Sequence, residues 1–312
     1  MPIFTMLCGL PASGKSLYAQ DIHNSTGATI FSSDAIRLEL FGNENEQRYQ
    51  DKVFETLHRR VKEVLLNGSD AVYDATNISY KRRMTFLQEI KNILCKKVCI
   101  VMATPYQECL RRNSDRLRSV PEHVIERMIK GFWVPQLYEG WDEIEIIQSE
   151  KRDIDTLFNI GDDNSPMPLI QVEQDNPHHN LTVGHHCLAC MNYIGLGCFD
   201  APRELFRAAK MHDIGKPFTK SFVNSRGETT DIAHYYNHHN VSAYMSLNYT
   251  DSQYEDPLVI ANLIQWHMRP FEIKRSENPE KLKDKLWELV GDETYTYIMI
   301  LHDADISTKG DK

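Results

Sequence analysis

The sequence has 312 residues, 35 Lys and Arg against 44 Asp and Glu for a formal net charge of -9, and is 41% hydrophobic and 25% charged. That length passes the roughly 250–300 residues at which one hydrophobic core stops growing, so two domains are expected, and no stretch approaches the ~20 apolar residues of a membrane span. The acidic balance argues against non-specific duplex binding, seven scattered cysteines exclude a disulfide scaffold and suit a reducing, cytoplasmic compartment, and the opening residues lack the basic segment of a secretory leader.

Along the chain, Ile3 to Cys8 is a short apolar run ending at a glycine-rich turn, which predicts a buried strand followed by a helix from about Lys15. Ala28 to Phe31, Ala71 to Tyr73 and Val98 to Ala103 read as further strands. Val53, Leu57, Val61, Val64 and Leu65 fall on one helical face, and so do Met84, Leu87, Ile90 and Leu94. Strands alternating with helices over residues 1–160 predict an α/β domain with a parallel sheet covered on both faces. Within it, Lys81 to Lys130 holds 12 Lys and Arg against 5 Asp and Glu, a local excess of 7 positive charges that is either a nucleic-acid surface or a solvated face. Gly161 to Pro168 has turn and breaker chemistry, so 161–172 is expected as a linker. From 173 to 312 strands are expected to disappear. Helical spacing at Leu188 to Ile194, Leu205 to Met211, Val241 to Leu247, Leu258 to Ile264 and Tyr297 to Leu301 predicts an all-α domain.

Gly9-Leu-Pro-Ala-Ser13-Gly14-Lys15-Ser16 matches G-x-x-x-x-G-K-[ST] between an expected strand and an expected helix. Glycines let backbone N–H groups close around phosphate oxygens, the helix N-terminus adds its positive end, Lys15 reaches the β- and γ-phosphates, and Ser16 ligates Mg²⁺. ATP or another NTP with Mg²⁺ is thus the expected cofactor. At the next strand end Asp34 can accept a hydroxyl proton, with Arg37 three residues on along the same helix face; an N-capping Asp beside a surface Arg is the plainer reading.

These residues resemble the polynucleotide-kinase branch of the P-loop kinases. The resemblance implies a catalytic aspartate at Asp34 and a contact from Arg37 to the acceptor's phosphate. It extends to Tyr73-Asp74-Ala-Thr-Asn77, followed by Arg82 and Arg83, which implies Asp74 near the donor phosphates. It reaches a lid segment in which Arg112 and Arg116, four apart, clamp them. Related folds also phosphorylate small molecules.

The second half brings Val183-Gly-His185-His186, Met211-His212-Asp213-Ile-Gly-Lys216-Pro, His238-His239, Trp266-His267 and Ala304-Asp305. Histidines and carboxylates on separate helices can converge inside a bundle, and His212 and Asp213 can splay around one ion at a helix end made by Gly215 and Pro217. A single helical histidine is more often structural. The ordered set resembles the HD phosphohydrolase superfamily, which implies His186, His212, Asp213 and Asp305 as the primary metal ligands, His238 and His267 as holders of a second metal with Asp213 bridging, and Lys216 on the phosphate. The resemblance, not spacing, selects His186 over His185, His238 over His239 and Asp305 over Asp303. One or two divalent transition ions, Mn²⁺, Ni²⁺, Co²⁺, Fe²⁺ or Zn²⁺, are implied. Gln174-Asp-Asn-Pro-His-His179 with Val-Gly-His-His-Cys-Leu resembles HD modules of tRNA-processing nucleotidyltransferases, which tilts the substrate toward RNA. Cys187-x-x-Cys190 has no second pair and reads as helix core rather than a zinc site.

Together the halves resemble the HD polynucleotide kinase class of end-healing enzymes. This implies a 5′-hydroxyl kinase joined to a phosphohydrolase acting on 2′,3′-cyclic or terminal phosphate ends, with nucleic acid, RNA before DNA, as partner and an RNA ligase acting downstream. In that class the HD module can precede the kinase, whereas here it follows. Kinase and hydrolase action on small nucleotides, and an HD module that senses nucleotides, are the alternatives; composition leaves a homodimer open.

Overall fold

The computed structural model describes residues 1–309 apart from 117, 178 and 199, so His178 of the nucleotidyltransferase-like segment lies outside the described residues. The chain forms two compact units, one of residues 1–125 with 135–149 and the other of residues 126–134 with 150–312.

The first unit is built on five parallel strands in the order β2-β3-β1-β4-β5, namely β1 (Ile3–Cys8), β2 (Thr29–Ser32), β3 (Ala71–Asp74), β4 (Lys96–Ala103) and β5 (Glu143–Gln148). Helices α1 (Lys15–Thr26), α2 (Ser33–Phe41), α3 (Gln50–Leu66), α4 (Tyr80–Glu89) and α5 (Tyr106–Ser114) complete it, and α6 (Glu122–Lys130) begins in this unit and ends in the other. Both faces of the sheet are covered. Leu7, Val72, Ile100 and Met102 pack with Ala19 of α1 on one core, and Phe4 meets Phe86 of α4 edge-on, ring centroids 5.3 Å apart. The α/β expectation therefore holds. Two details differ. Leu94, expected on the α4 face, lies beyond that helix and is 81% exposed, while Phe86 fills the core in its place. The edge strand β5, whose Glu-Ile-Glu-Ile-Ile-Gln alternates at period two, was not anticipated.

The second unit is mainly helical: α7 (Ile154–Asn159), α8 (Val183–Gly197), α9 (Arg203–Met211), α10 (Lys216–Thr219), α11 (His238–Tyr249), α12 (Pro257–Trp266), α13 (Arg269–Lys274), α14 (Pro279–Val290) and α15 (Asp292–Ser307). Each of the five expected helical stretches lies inside one of these. The expectation that strands disappear is corrected by an antiparallel hairpin of β6 (Ser221–Val223) and β7 (Thr229–His234), closed through Gly227 at a φ of 82°. Three- and six-residue strands carry too little alternation to stand out from polar loop sequence. No helix among the described residues is long and apolar enough to cross a membrane.

Candidate active sites

The first site collects at the C-terminal edge of the sheet, where ligands of open α/β folds bind. After β1 the chain turns through residues 9–14, reaching α1 by way of Gly14 at a φ of 101°, a conformation open to glycine without strain. Gly9 N–H donates to Thr76 O at 3.0 Å, and Thr104 Oγ1 donates to Ser13 O at 2.9 Å, which pins the loop. Lys15 is buried, and Nζ donates to Leu10 O at 2.6 Å and to Ser13 Oγ at 3.3 Å; burial lowers its pKa, with the Asp74 carboxylate opposing. Ser16 Oγ donates to Asp74 Oδ2 at 2.7 Å. Burial raises the Asp74 pKa against the pull of that hydroxyl. Two hard oxygen donors side by side at a phosphate loop fit Mg²⁺.

Helix α2 places Asp34 in its first turn and Arg37 one turn later, Nη1 to Asp34 Oδ1 at 2.6 Å. Arg37 is buried and its Nε has no partner, while the Asp34 side chain is 49% exposed. Asp34, Ser16, Ser32, Leu38, Arg116 and Arg118 line one cleft of about 540 Å³. Arg112 is anchored through Nε to Glu108 Oε1 at 2.6 Å, and its Nη1 would stand 3.9 Å from a Cβ on Gly14, so it reaches the phosphate loop from α5. Hydrogen bonds from Arg111 and Arg112 lower the Glu108 pKa to about 2. Arg83, by contrast, is fully buried in a two-pronged pair with Glu139, at 2.8 and 2.6 Å, and holds structure rather than substrate. Acidic residues outside the stretch match three charges of the positive excess between Lys81 and Lys130: Glu139 pairs with Arg83, Glu143 with Lys96 and Glu44 with Arg118.

The second site lies in the helical unit, among α8, α9, α11, α12 and α15. Helix α9 ends at Met211, so His212 and Asp213 fall on the turn between α9 and α10, and both point inward. Gly215 permits that turn: a Cβ there would lie 2.7 Å from both His238 O and Ser242 N of α11. His186, His212, Asp213, His238, His267 and Asp305 are all buried. The doublets separate cleanly, for His185 and Asp303 are exposed and His185 binds Thr182 Oγ1 through Nδ1. His239 sits behind His238, ring centroids 5.8 Å apart, and burial lowers its pKa to about 3.

The tautomers follow from the hydrogen bonds. His186 Nδ1 faces Thr308 O at 3.2 Å, His212 Nδ1 faces Ala209 O at 2.8 Å, His238 Nδ1 faces Tyr235 O at 2.7 Å and His267 Nδ1 faces Ile264 O at 2.6 Å. A carbonyl only accepts, so each Nδ1 carries a proton and each Nε2 is left to give its lone pair to a metal ion. Those lone pairs converge. His186 Nε2 is 3.3 Å from His212 Nε2 and 3.2 Å from Asp305 Oδ1; His238 Nε2 is 3.3 Å from His267 Nε2 and 3.2 Å from Asp213 Oδ1; His212 Nε2 is 3.2 Å from Asp213 Oδ2. Two nitrogens about 2.0–2.1 Å from one tetrahedral ion stand about 3.3–3.4 Å apart, which is the spacing of the two Nε2 pairs here. The donor set fits transition metal ions in two positions, with Asp213 turning one oxygen to each. Lys216 Nζ pairs with Asp213 Oδ2 at 2.6 Å and donates to Gln174 Oε1 at 2.7 Å.

The Cys190 thiol adjoins this cluster. Cys190 Sγ completes a candidate trio with His186 and His212, yet it stands 3.8 and 4.0 Å from the two ring nitrogens of His186. Near-equal distances put it alongside the imidazole instead of in front of Nε2, so it packs there and binds Thr308 Oγ1 at 2.9 Å. Gln174, named in the sequence only within the nucleotidyltransferase-like segment, anchors Lys216, while the carbonyl-bearing Thr308 and Tyr235 and, in the first site, Glu44 and Arg118 were not singled out.

Residues 4–135 match the family model described as an AAA domain, and residues 178–309 match that of the HD domain. The protein joins an AAA domain to an HD domain. The AAA domain carries the kinase-like phosphate loop, and the HD domain carries the histidine and aspartate cluster. The chain is 26% identical to the L-seryl-tRNA(Sec) kinase of Methanococcus maripaludis over 177 residues, 54% of this chain and 69% of that protein. Among solved structures it is similar to the Pnkp1/Rnl/Hen1 RNA repair complex, at 23% identity and a TM-score of 0.36 over 42% of this chain and 43% of that one. It is also similar to Kti12 of Chaetomium thermophilum in complex with ADP-AlF3, at 16% identity and a TM-score of 0.41 over 49% and 93% of the two chains.

Proposed function

We propose that the protein is a bifunctional nucleic-acid end-healing enzyme: an ATP-dependent 5′-hydroxyl polynucleotide kinase, with its catalytic groups within residues 1–160, and a metal-dependent phosphohydrolase of RNA 2′,3′-cyclic or terminal phosphates within residues 173–312, working in the cytoplasm. The observation that carries the kinase reading is the shared cleft, where Asp34 stands with Ser16 of the phosphate loop and Arg116 of the lid. The L-seryl-tRNA(Sec) kinase, whose name puts its acceptor on a tRNA, supports a hydroxyl borne by RNA.

In the kinase, loop amides and Lys15 would hold the donor phosphates, and Ser16 and Asp74 would hold the ion. The nucleoside triphosphate with Mg²⁺ supplies the transferable phosphoryl group. Asp34 accepts the proton of the attacking hydroxyl, Arg37 holds the phosphate next to it, and Arg112 and Arg116 neutralise charge developing on the transferred group. In the HD domain, His186, His212, Asp213 and Asp305 would hold one ion, and His238, His267 and Asp213 a second. Bound there, such ions would lower the pKa of water toward ~7 and neutralise charge on the phosphate. Lys216, buried and fixed by Gln174, presents its ammonium to the phosphate oxygens. The 5′-phosphate and freed 3′ end are what an RNA ligase joins.

The test is end analysis of an RNA oligomer with a 5′-hydroxyl and a 2′,3′-cyclic phosphate, incubated with ATP, Mg²⁺ and Mn²⁺ beside free nucleosides and nucleotides. Gain of a 5′-phosphate, lost in Lys15→Ala and Asp34→Ala, and opening or removal of the cyclic phosphate, lost in Asp213→Ala without loss of 5′ labelling, are expected. Turnover of the free compounds alone sinks the reading. A second reading, transfer to the seryl hydroxyl of a seryl-tRNA, draws on the same relative, and seryl-tRNA as a rival acceptor separates the two.

A further inference from the structure

Both oxygens of Asp34 are taken by arginines. Oδ1 is 2.6 Å from Arg37 Nη1, and Oδ2 is 3.0 Å from Arg118 Nη1. A carboxylate that is to receive a hydroxyl proton needs an oxygen facing that hydroxyl within hydrogen-bond reach. Arg37 cannot be the one to yield: it is 4% exposed and also donates to Glu44 O at 3.4 Å. Arg118 can. Its side chain is 29% exposed, it lines the cleft that holds Ser16 and Arg116, and it reaches Asp34 from beyond the lid. It is held there by a second set of acceptors, Glu44 Oε2 at 2.8 Å, Glu44 O at 3.0 Å and Asn45 Oδ1 at 2.8 Å, all on the loop after α2.

We infer that Arg118 is a specificity-determining residue that masks Asp34 until an acceptor bearing a phosphate beside its hydroxyl draws the guanidinium away. This rests on Asp34 being the proton acceptor of the kinase. Guanidinium binds phosphate oxygens through two parallel N–H bonds, a better match than one prong on each of two separate carboxylates. The exchange exposes Asp34 Oδ2 at the moment the hydroxyl arrives. The proton then passes to Oδ2, the hydroxyl oxygen bonds to the γ-phosphorus, and the bond from that phosphorus to the β,γ-bridging oxygen breaks, leaving its electron pair on the nucleoside diphosphate. Water and bare nucleosides bring no phosphate, leave the mask closed and are poor acceptors.

The test compares wild type with Arg118→Ala and Arg118→Lys in three assays with ATP and Mg²⁺: hydrolysis without acceptor, transfer to a 5′-hydroxyl dinucleotide, and transfer to the matching nucleoside. Arg118→Ala is expected to raise acceptor-free hydrolysis several-fold. Through KM, it is expected to lower the preference for dinucleotide over nucleoside by about 10- to 100-fold, the worth of hydrogen bonds to a charged group. Arg118→Lys, which keeps the charge but not the fork, restores part of that preference. Unchanged or slower hydrolysis, or an equal loss on both acceptors, overturns the inference. The polynucleotide reading fails separately: wild-type protein that phosphorylates neither dinucleotide nor nucleoside removes the phosphate trigger, while the hydrolysis assay still decides the mask.

Discussion

Asp213 is the residue on which the HD site turns, because its two oxygens face different pairs of imidazoles. Asp213→Asn keeps the volume but puts an N–H₂ among converging lone pairs, so bound Mn²⁺ is expected to fall in both positions when metal content is measured per chain. His267→Ala removes a ligand from one position only and is expected to lose about half as much; equal losses in the two variants defeat the shared carboxylate. His185→Ala and Asp303→Ala, exposed, are expected to leave metal content unchanged. The choice within the first doublet came from the resemblance, and the structure adds the helical phase behind it: Val183, Cys187, Cys190 and Ile194 are buried on α8, and His186 falls among them at i+3 and i-4. The Arg118 contacts had no such signal. Glu44 and Arg118 are 74 residues apart, and nothing in either local sequence points to the other.

At the scale of elements, close approach and buried charge give the sharpest consequences. Gly215→Ala forces a Cβ against backbone atoms of α11, where no side chain can give way, and is expected to destabilise the helical unit by about 1–3 kcal/mol, read as a lowered thermal midpoint. Arg83 of α4 and Glu139 are both wholly buried, and Trp141 Nε1 and the Gln136 N–H also donate to that carboxylate, at 3.1 and 3.2 Å. Glu139→Ala strands a buried guanidinium and is expected to cost about 3–5 kcal/mol in a denaturant titration, most of it recovered when Arg83→Met is added. If the double variant is no better than the single one, the loss comes from packing and not from charge. Elements whose apolar period is long and regular, such as β1 and α3, were readable. The strands β5, β6 and β7 were not: β5 and β7 are as long as β1 but broken by polar residues, and β6 has only three residues.

For the whole molecule, two units each with its own ligands predict separable stabilisation. ATP with Mg²⁺ is expected to raise a melting transition that Lys15→Ala leaves unresponsive, and Mn²⁺ one that Asp213→Asn leaves unresponsive, each by about 2.7 kcal/mol at a ligand concentration of a hundred times Kd. A single transition moved by both ligands contradicts this. The order of the units along the chain adds a constraint of another kind. Residues 126–134 belong to the second unit although 135–149 return to the first, and they are seated by Asn240 Nδ2 on Lys130 O at 3.0 Å, Gln265 Nε2 on Phe132 O at 3.1 Å and the Val134 N–H on Gln265 Oε1 at 3.0 Å. The backbone thus passes three times between units, and no single cut divides it. A gene split between codons 149 and 150 leaves the buried Phe132 with the wrong half, stripped of the Tyr244 ring 4.6 Å away. Exchanging one catalytic half for another by simple fusion fails for the same reason, so the two chemistries are inherited together.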